Sequence, residues 1–128
     1  MSRSLHFVAK DFGAYEKNDA LIVGFARDRG DQASDEALIL QRANGEQNDS
    51  GIYVEIPVQR FACYDGVKEA ELARDRFSVT FYPDATGELG DIGAMQISFV
   101  SSDLEFEKLE SMLKRIFRDH ESFTVNGG

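Results

Sequence analysis

Residues 95–117 read MQISFVSSDLEFEKLESMLKRIF, and the change of period inside this stretch decides the fold class. Met95-Gln96-Ile97-Ser98-Phe99 alternates apolar and polar, as a strand with one covered face does. From Ser102 the spacing becomes helical. Leu104, Leu109, Met112, Leu113, Ile116 and Phe117 fall on one stripe, with Phe106 at its margin. Ser102 is placed to cap the first turn, and Glu105 three residues on completes a capping box. Asp103, Glu105 and Glu107 open the helix while Lys114, Arg115 and Arg118 close it, both ends complementing the helix dipole. The stripe has to be buried against a sheet face, which makes this helix core rather than a site.

Strand patterns extend outward towards the N-terminus. Arg76 to Tyr82 alternates with Phe77, Val79 and Phe81 inward. Lys68 to Ala73 has helical propensity, yet only Leu72 and small alanines could form a stripe, and the segment reads as a strand. Ile52-Tyr53-Val54-Glu55-Ile56 places Ile52, Val54 and Ile56 on one face, and Pro57 predicts a bulge or an edge position there. Ala37 to Arg42 reads as a strand, and Ala20 to Ala26, apolar on both sides, reads as a central one. Leu5 to Ala9 reads as an edge strand, Asp11 to Asp19 as a polar turn, and Arg27 to Glu36 as a charged loop. Gly87, Gly90 and Gly93 read as a flexible loop between strands. The expected fold is α+β: a mostly antiparallel sheet of about six to eight strands with one C-terminal helix packed on one face.

The chain has 128 residues, 42% of them hydrophobic and ten of them Phe, which predicts a single domain over 1–128 with a core of its own. One cysteine, Cys63, allows neither an internal disulfide nor a cysteine-built zinc site. No secretory signal and no membrane-length apolar run is apparent, so the expected location is cytoplasmic. The formal charge of −9 makes nucleic acid and anionic membranes poor partners and favours a basic protein. The same charge also serves plain solubility.

Chemistry is sparse. The two histidines, His6 and His120, are far apart in sequence and lack metal-ligand spacing. A Cys63–His120 pair could be drawn, but a lone cysteine between Ala62 and Tyr64 is more simply a small buried side chain. Asn44 to Gly51 departs from the order of a calcium loop, and the spaced glycines match no phosphate-binding pattern. The reading is therefore no catalytic residue, no metal and no cofactor: a binding protein, not an enzyme.

Several segments together resemble the immunity protein 10 family. These are Leu38 to Ala43, Tyr53 to Ile56 with Gln59, Tyr64 to Val67, and Leu72 to Arg76. The strand Gln96 to Phe99, the acidic helix start Ser102 to Phe106 and the run Leu109 to Phe117 continue the likeness. The resemblance implies a bacterial protein that binds a co-encoded toxin domain of a polymorphic toxin system and blocks it without turnover. A basic toxin would suit the charge. Exposed polar and aromatic residues on loops, or on the sheet face opposite the helix, are the candidates for that contact: Tyr53, Glu55, Gln59, Tyr64 and Asp65. Each also fits an ordinary solvent-facing or turn role, and Asp65-Gly66 is a common turn pair. Two other readings stay open. One is a structural or regulatory module of unidentified partner, including a homodimer joined through an edge strand. The other is an enzyme using Cys63 or a small-molecule pocket, which a deep polar cleft with Cys63 at its rim would mark.

Overall fold

The computed structural model describes residues 3–27, 36–45, 51–56 and 61–126. Among the described residues, ten strands form two five-stranded sheets. β1 (Arg3–Val8) belongs to the first sheet, and the chain then crosses to build the second as a plain antiparallel meander. That meander is β2 (Asp11–Lys17), β3 (Ala20–Ala26), β4 (Ala37–Ala43), β5 (Tyr53–Ile56) and β6 (Phe61–Tyr64), in spatial order β2-β3-β4-β5-β6. β7 (Val67–Ala73) and β8 (Arg76–Phe81) return to the first sheet. A single helical turn, α1 (Pro83–Thr86), leads into β9 (Ile92–Ser98), then α2 (Asp103–Ile116) and β10 (Phe123–Asn126). The first sheet has the order β1-β9-β8-β7-β10, with its two edge strands β1 and β10 parallel to their neighbours.

The α+β class stands, and so does the C-terminal helix on an antiparallel face. The strands among the described residues number ten in two sheets, against about six to eight in one sheet expected. Two of the additions have identifiable causes. Asp11 to Asp19 is not a polar turn: Phe12 and Ala14 alternate with Asp11, Gly13 and Tyr15, and the turn shrinks to Asn18-Asp19, both with positive φ. That two-residue left-handed pair matches the twist of a hairpin, and Asn and Asp tolerate it better than other residues with a Cβ. β10 is four residues long and pairs with β7, too short for periodicity to reveal.

The glycine-rich segment also differs from a flexible loop. Gly93 lies within β9, and Gly90 takes a left-handed φ of 66° beside the Phe61 ring. β5 is an inner strand paired with both β4 and β6, not an edge; Pro57 lies outside the described residues.

The two sheets meet through apolar inner faces. Phe25 of β3 stacks on Phe77 of β8 with ring centroids 5.3 Å apart, and Phe99 lies 5.9 Å from Phe25. α2 lies against β2, β3 and β4. It buries Leu109, Met112, Leu113 and Ile116, and Phe117 is buried at its C-cap. Leu104, expected on that stripe, is 61% exposed. It sits in the first turn, ahead of the point where the helix meets the sheet, and only half-buried Phe106 is engaged there, beneath the Arg74 guanidinium. The capping box forms as expected: Glu105 N–H donates to Ser102 Oγ at 3.1 Å, and Ser102 N–H donates to Glu105 Oε1 at 2.8 Å. At the other end Phe117 stacks on Phe123 of β10 at 4.8 Å. Among the described residues no helix is long and apolar enough to cross a membrane.

Candidate functional site: the outer face of the meander sheet

Strand alternation decides what each sheet shows to solvent. In the meander, Leu21, Val23, Phe25, Leu38, Leu40, Val54 and Cys63 are buried, so their sequence neighbours point outward. Register then aligns those outward residues into rows. One row crosses all five strands as Tyr15, Ile22, Gln41, Tyr53 and Tyr64. The adjacent row is Gly13, Gly24, Ile39, Glu55 and Ala62. Three of the four tyrosines of the chain stand in the first row.

The opposite surface of the molecule, the outer face of the first sheet, has another character. Its corresponding row is His6, Gln96, Ser78, Glu71 and Thr124. Such a face of small polar and charged groups is well hydrated and has little to gain by being covered. The meander face, with aromatic, aliphatic and glycine positions, gains more, and aromatic residues are enriched in the centres of protein interfaces.

Of the five residues expected at the contact, the structure brings Tyr53, Glu55 and Tyr64 together on this face. The Tyr53 and Tyr64 rings pack at 5.1 Å with a 52° tilt, directly opposite each other in register. Tyr53 Oη donates to Glu55 Oε1 at 2.7 Å. That hydrogen bond, with burial and the Glu55 charge adding to it, pushes the Tyr53 hydroxyl up to about 12. The side chains of Tyr53 and Glu55 thus hold each other in place, while Tyr64 is 59% exposed. Tyr53 and Tyr64 also line a hollow of about 380 Å³ with Gln41, Asn18 and Asn44.

Asp65 has a different setting. It takes a left-handed φ of 55° in the turn after β6, and its backbone N–H donates to the Ile52 carbonyl at 2.9 Å. Its carboxylate accepts from the Ile52 N–H at 3.3 Å and fills the space where a Cβ on Gly51 would stand. Asp65 is a strap between the start of β5 and the end of β6, exposed but engaged. Gln59 lies outside the described residues.

Tyr15, Ile22 and Ile39 on this face are not among the residues expected from the sequence, because the Asp11 to Asp19 stretch reads there as a polar turn and leaves the row without its edge strand. The available signal was the alternation of Phe12 and Ala14 with Gly13 and Tyr15.

Cys63 is a free, buried thiol on the inner face of β6. Burial pushes its thiol up, which favours the unreactive protonated form. A Cβ on Gly66 would stand 2.6 Å from its Sγ, so the sulfur is packed tightly beneath the turn. His6 lies in β1 and His120 precedes β10, at opposite edges of the first sheet. His120 packs its ring 5.6 Å from Phe117. Among the described residues no group of three or more His, Cys, Asp or Glu side chains is placed to hold a metal ion.

Comparison with known proteins agrees with the sequence resemblance. No curated protein and no solved structure matches the chain. The sequence profile of the family described as Immunity protein 10 matches residues 8–107, from the end of β1 into the second turn of α2, and so takes in the whole meander sheet. By that match over most of its length, the chain belongs to the immunity protein 10 family.

Proposed function

We propose that this protein neutralises a cognate bacterial toxin domain by stoichiometric occlusion, acting as a single folded unit in the cytoplasm of the cell that makes the toxin. The observation that carries the reading is family membership over residues 8–107. In this reading the toxin contacts the outer face of the meander sheet, centred on Tyr53, Glu55 and Tyr64, with Asp65 at its margin, and Gln59 remains a candidate on its sequence alone. Rigid aromatic rings supply contact area at low entropic cost, and the Tyr53–Glu55 hydrogen bond pre-organises two of the groups. The formal charge of −9 supports a basic toxin, met at an increased encounter rate. No turnover is part of this mechanism: the buried, raised Cys63 thiol makes a poor nucleophile, and inhibition follows from covering a surface.

Titrating the activity of the toxin encoded beside this chain tests the reading. Stoichiometric occlusion gives an end point at a fixed molar ratio that does not move with incubation time. Inhibition at a small fraction of one equivalent, growing with time, would establish turnover and overturn it.

A further inference from the structure

Gly13 and Gly24 are direct partners across β2 and β3, side by side on the outer face of the meander sheet. Glycine weakens a strand interior, so a mid-strand pair calls for a cause. Three other described glycines have internal ones. Gly51 and Gly90 have left-handed φ, and Gly66 packs against Cys63 and Ala85. Gly13 and Gly24 have neither. A Cβ on Gly13 would meet no described atom within 4 Å, and one on Gly24 only the Leu38 carbonyl oxygen at 4.0 Å.

Among the described residues, then, none fills the notch that the pair leaves. Tyr15, Ile22 and Ile39 bound it, and with them it forms a shallow groove of about 320 Å³. Mid-strand glycine marks a bulge, a bend or a place where another molecule approaches the backbone closely. The unbroken register of β2 with β3 speaks against a bulge here. Glu55 lies in the same row as Gly24, two strands away, or about 10 Å at the usual strand spacing.

Resting on the toxin-binding reading above, we propose that the Gly13–Gly24 notch receives an apolar side chain of the toxin, while a basic toxin residue about 10 Å away meets the Glu55 carboxylate. Charge selects this occupant over a second copy of the chain. Asp11 lines the groove beside Gly13, and Glu55 stands farther along the row. Both of these charges near the notch are acidic and suit a basic toxin, whereas a second copy would bring another −9 against the first.

The test uses the full chain and the toxin domain encoded beside it. Gly13→Val and Gly24→Ala fill the notch, and Ser78→Val on the outer face of the first sheet is the control. Calorimetric titration, thermal melting and sedimentation are measured on each. Both notch variants are expected to melt at or above the wild-type temperature and to bind at least about tenfold more weakly, with Ser78→Val unchanged. If Gly13→Val does not fold, Gly24→Ala decides alone. Wild-type affinity in a folded notch variant overturns the notch and leaves the toxin reading standing. An active toxin that the wild-type chain does not bind overturns both. A wild-type dimer that Gly24→Ala dissociates assigns the notch to a second copy and also overturns the proposal.

Discussion

Arg42 in β4 and Asp119 after α2 form a two-pronged ion pair, with Arg42 Nη1 2.7 Å from Asp119 Oδ1 and Nη2 2.9 Å from Oδ2. The same Nη1 donates to the Ile116 carbonyl at 2.9 Å, satisfying a helix-end acceptor that has no partner within the helix. Arg42 is the inner-face residue opposite Leu21 and is 6% exposed, so this cation ties α2 to the meander sheet from inside. Arg42→Ala is expected to cost ~2–3 kcal/mol in a denaturant melt, as charged hydrogen bonds of this kind do. Asp119→Asn should cost less, because the Asp119 side chain is 64% exposed and solvent screens its share. The hydrogen bonds from Arg42 hold the Asp119 carboxyl well below the usual carboxylate range. A lowered folded-state pKa gives stability that is present above the unfolded value of about 3.9 and lost as pH falls below it. Wild type should therefore lose more stability than Asp119→Asn between roughly pH 5 and pH 2. Parallel pH profiles for the two proteins would show that the pair does not contribute.

Within α2, two leucines predicted on one stripe separate in the structure. Leu113 is fully buried and Leu104 is 61% exposed. Leu113→Ala should cost ~2–5 kcal/mol through the cavity it leaves. Leu104→Ala should fall within about 0.5 kcal/mol of wild type, as exposed substitutions do. Equal losses at the two positions would mean that the helix lies on the sheet in another rotation.

These outcomes mark where sequence reading carries far and where it stops. Phe77, Val79 and Phe81, or Ile52, Val54 and Ile56, repeat a period that only a half-covered strand explains, and all six are buried. β2 is covered on one side by the helix and carries Gly13 among charged ends, so its pattern is diluted below recognition. The partition into two sheets depends on long-range pairings such as β1 with β9 and β7 with β10, for which no local pattern exists. Tyr53 and Glu55 were foreseeable as outward residues from the alternation around Val54. Their union with Tyr15, Ile22 and Ile39 required the register of the whole meander.

Tyr53 offers an optical probe of the site before any partner is in hand. Its hydroxyl ionises near about 12, chiefly because it donates to Glu55. Glu55→Gln removes the carboxylate charge and weakens that acceptor, so Tyr53 should move back towards 10, the ordinary tyrosine value. The difference in tyrosinate absorbance between each protein and its Tyr53→Phe counterpart isolates this one group. An unchanged Tyr53 transition in Glu55→Gln would mean that the Tyr53–Glu55 bond is absent in solution.

The charge of the whole chain and the chemistry of the proposed face suggest a division of labour in toxin binding. The chain carries −9, yet the outward meander rows hold few charges, with Asp11 and Lys17 at the ends of β2 and Glu55 in β5. Long-range attraction then comes from the molecule as a whole, and residence from aromatic contact. Association with a basic toxin should slow as salt rises, since the Debye length shrinks from about 10 Å at 0.1 M to about 3 Å at 1 M. Dissociation should change much less over the same range. Tyr64 has the reverse profile. It is 59% exposed and contributes one ring to the Tyr53 pair, so Tyr64→Ala should leave the melt nearly unchanged and the association rate intact. Its dissociation rate should rise about tenfold, the loss of an interface aromatic. Stopped-flow association and competition-chase dissociation, each run at both salt concentrations, separate the two effects. A folded Tyr64→Ala protein that releases the toxin as slowly as wild type would exclude Tyr64 from the contact and move the binding surface off this end of the meander.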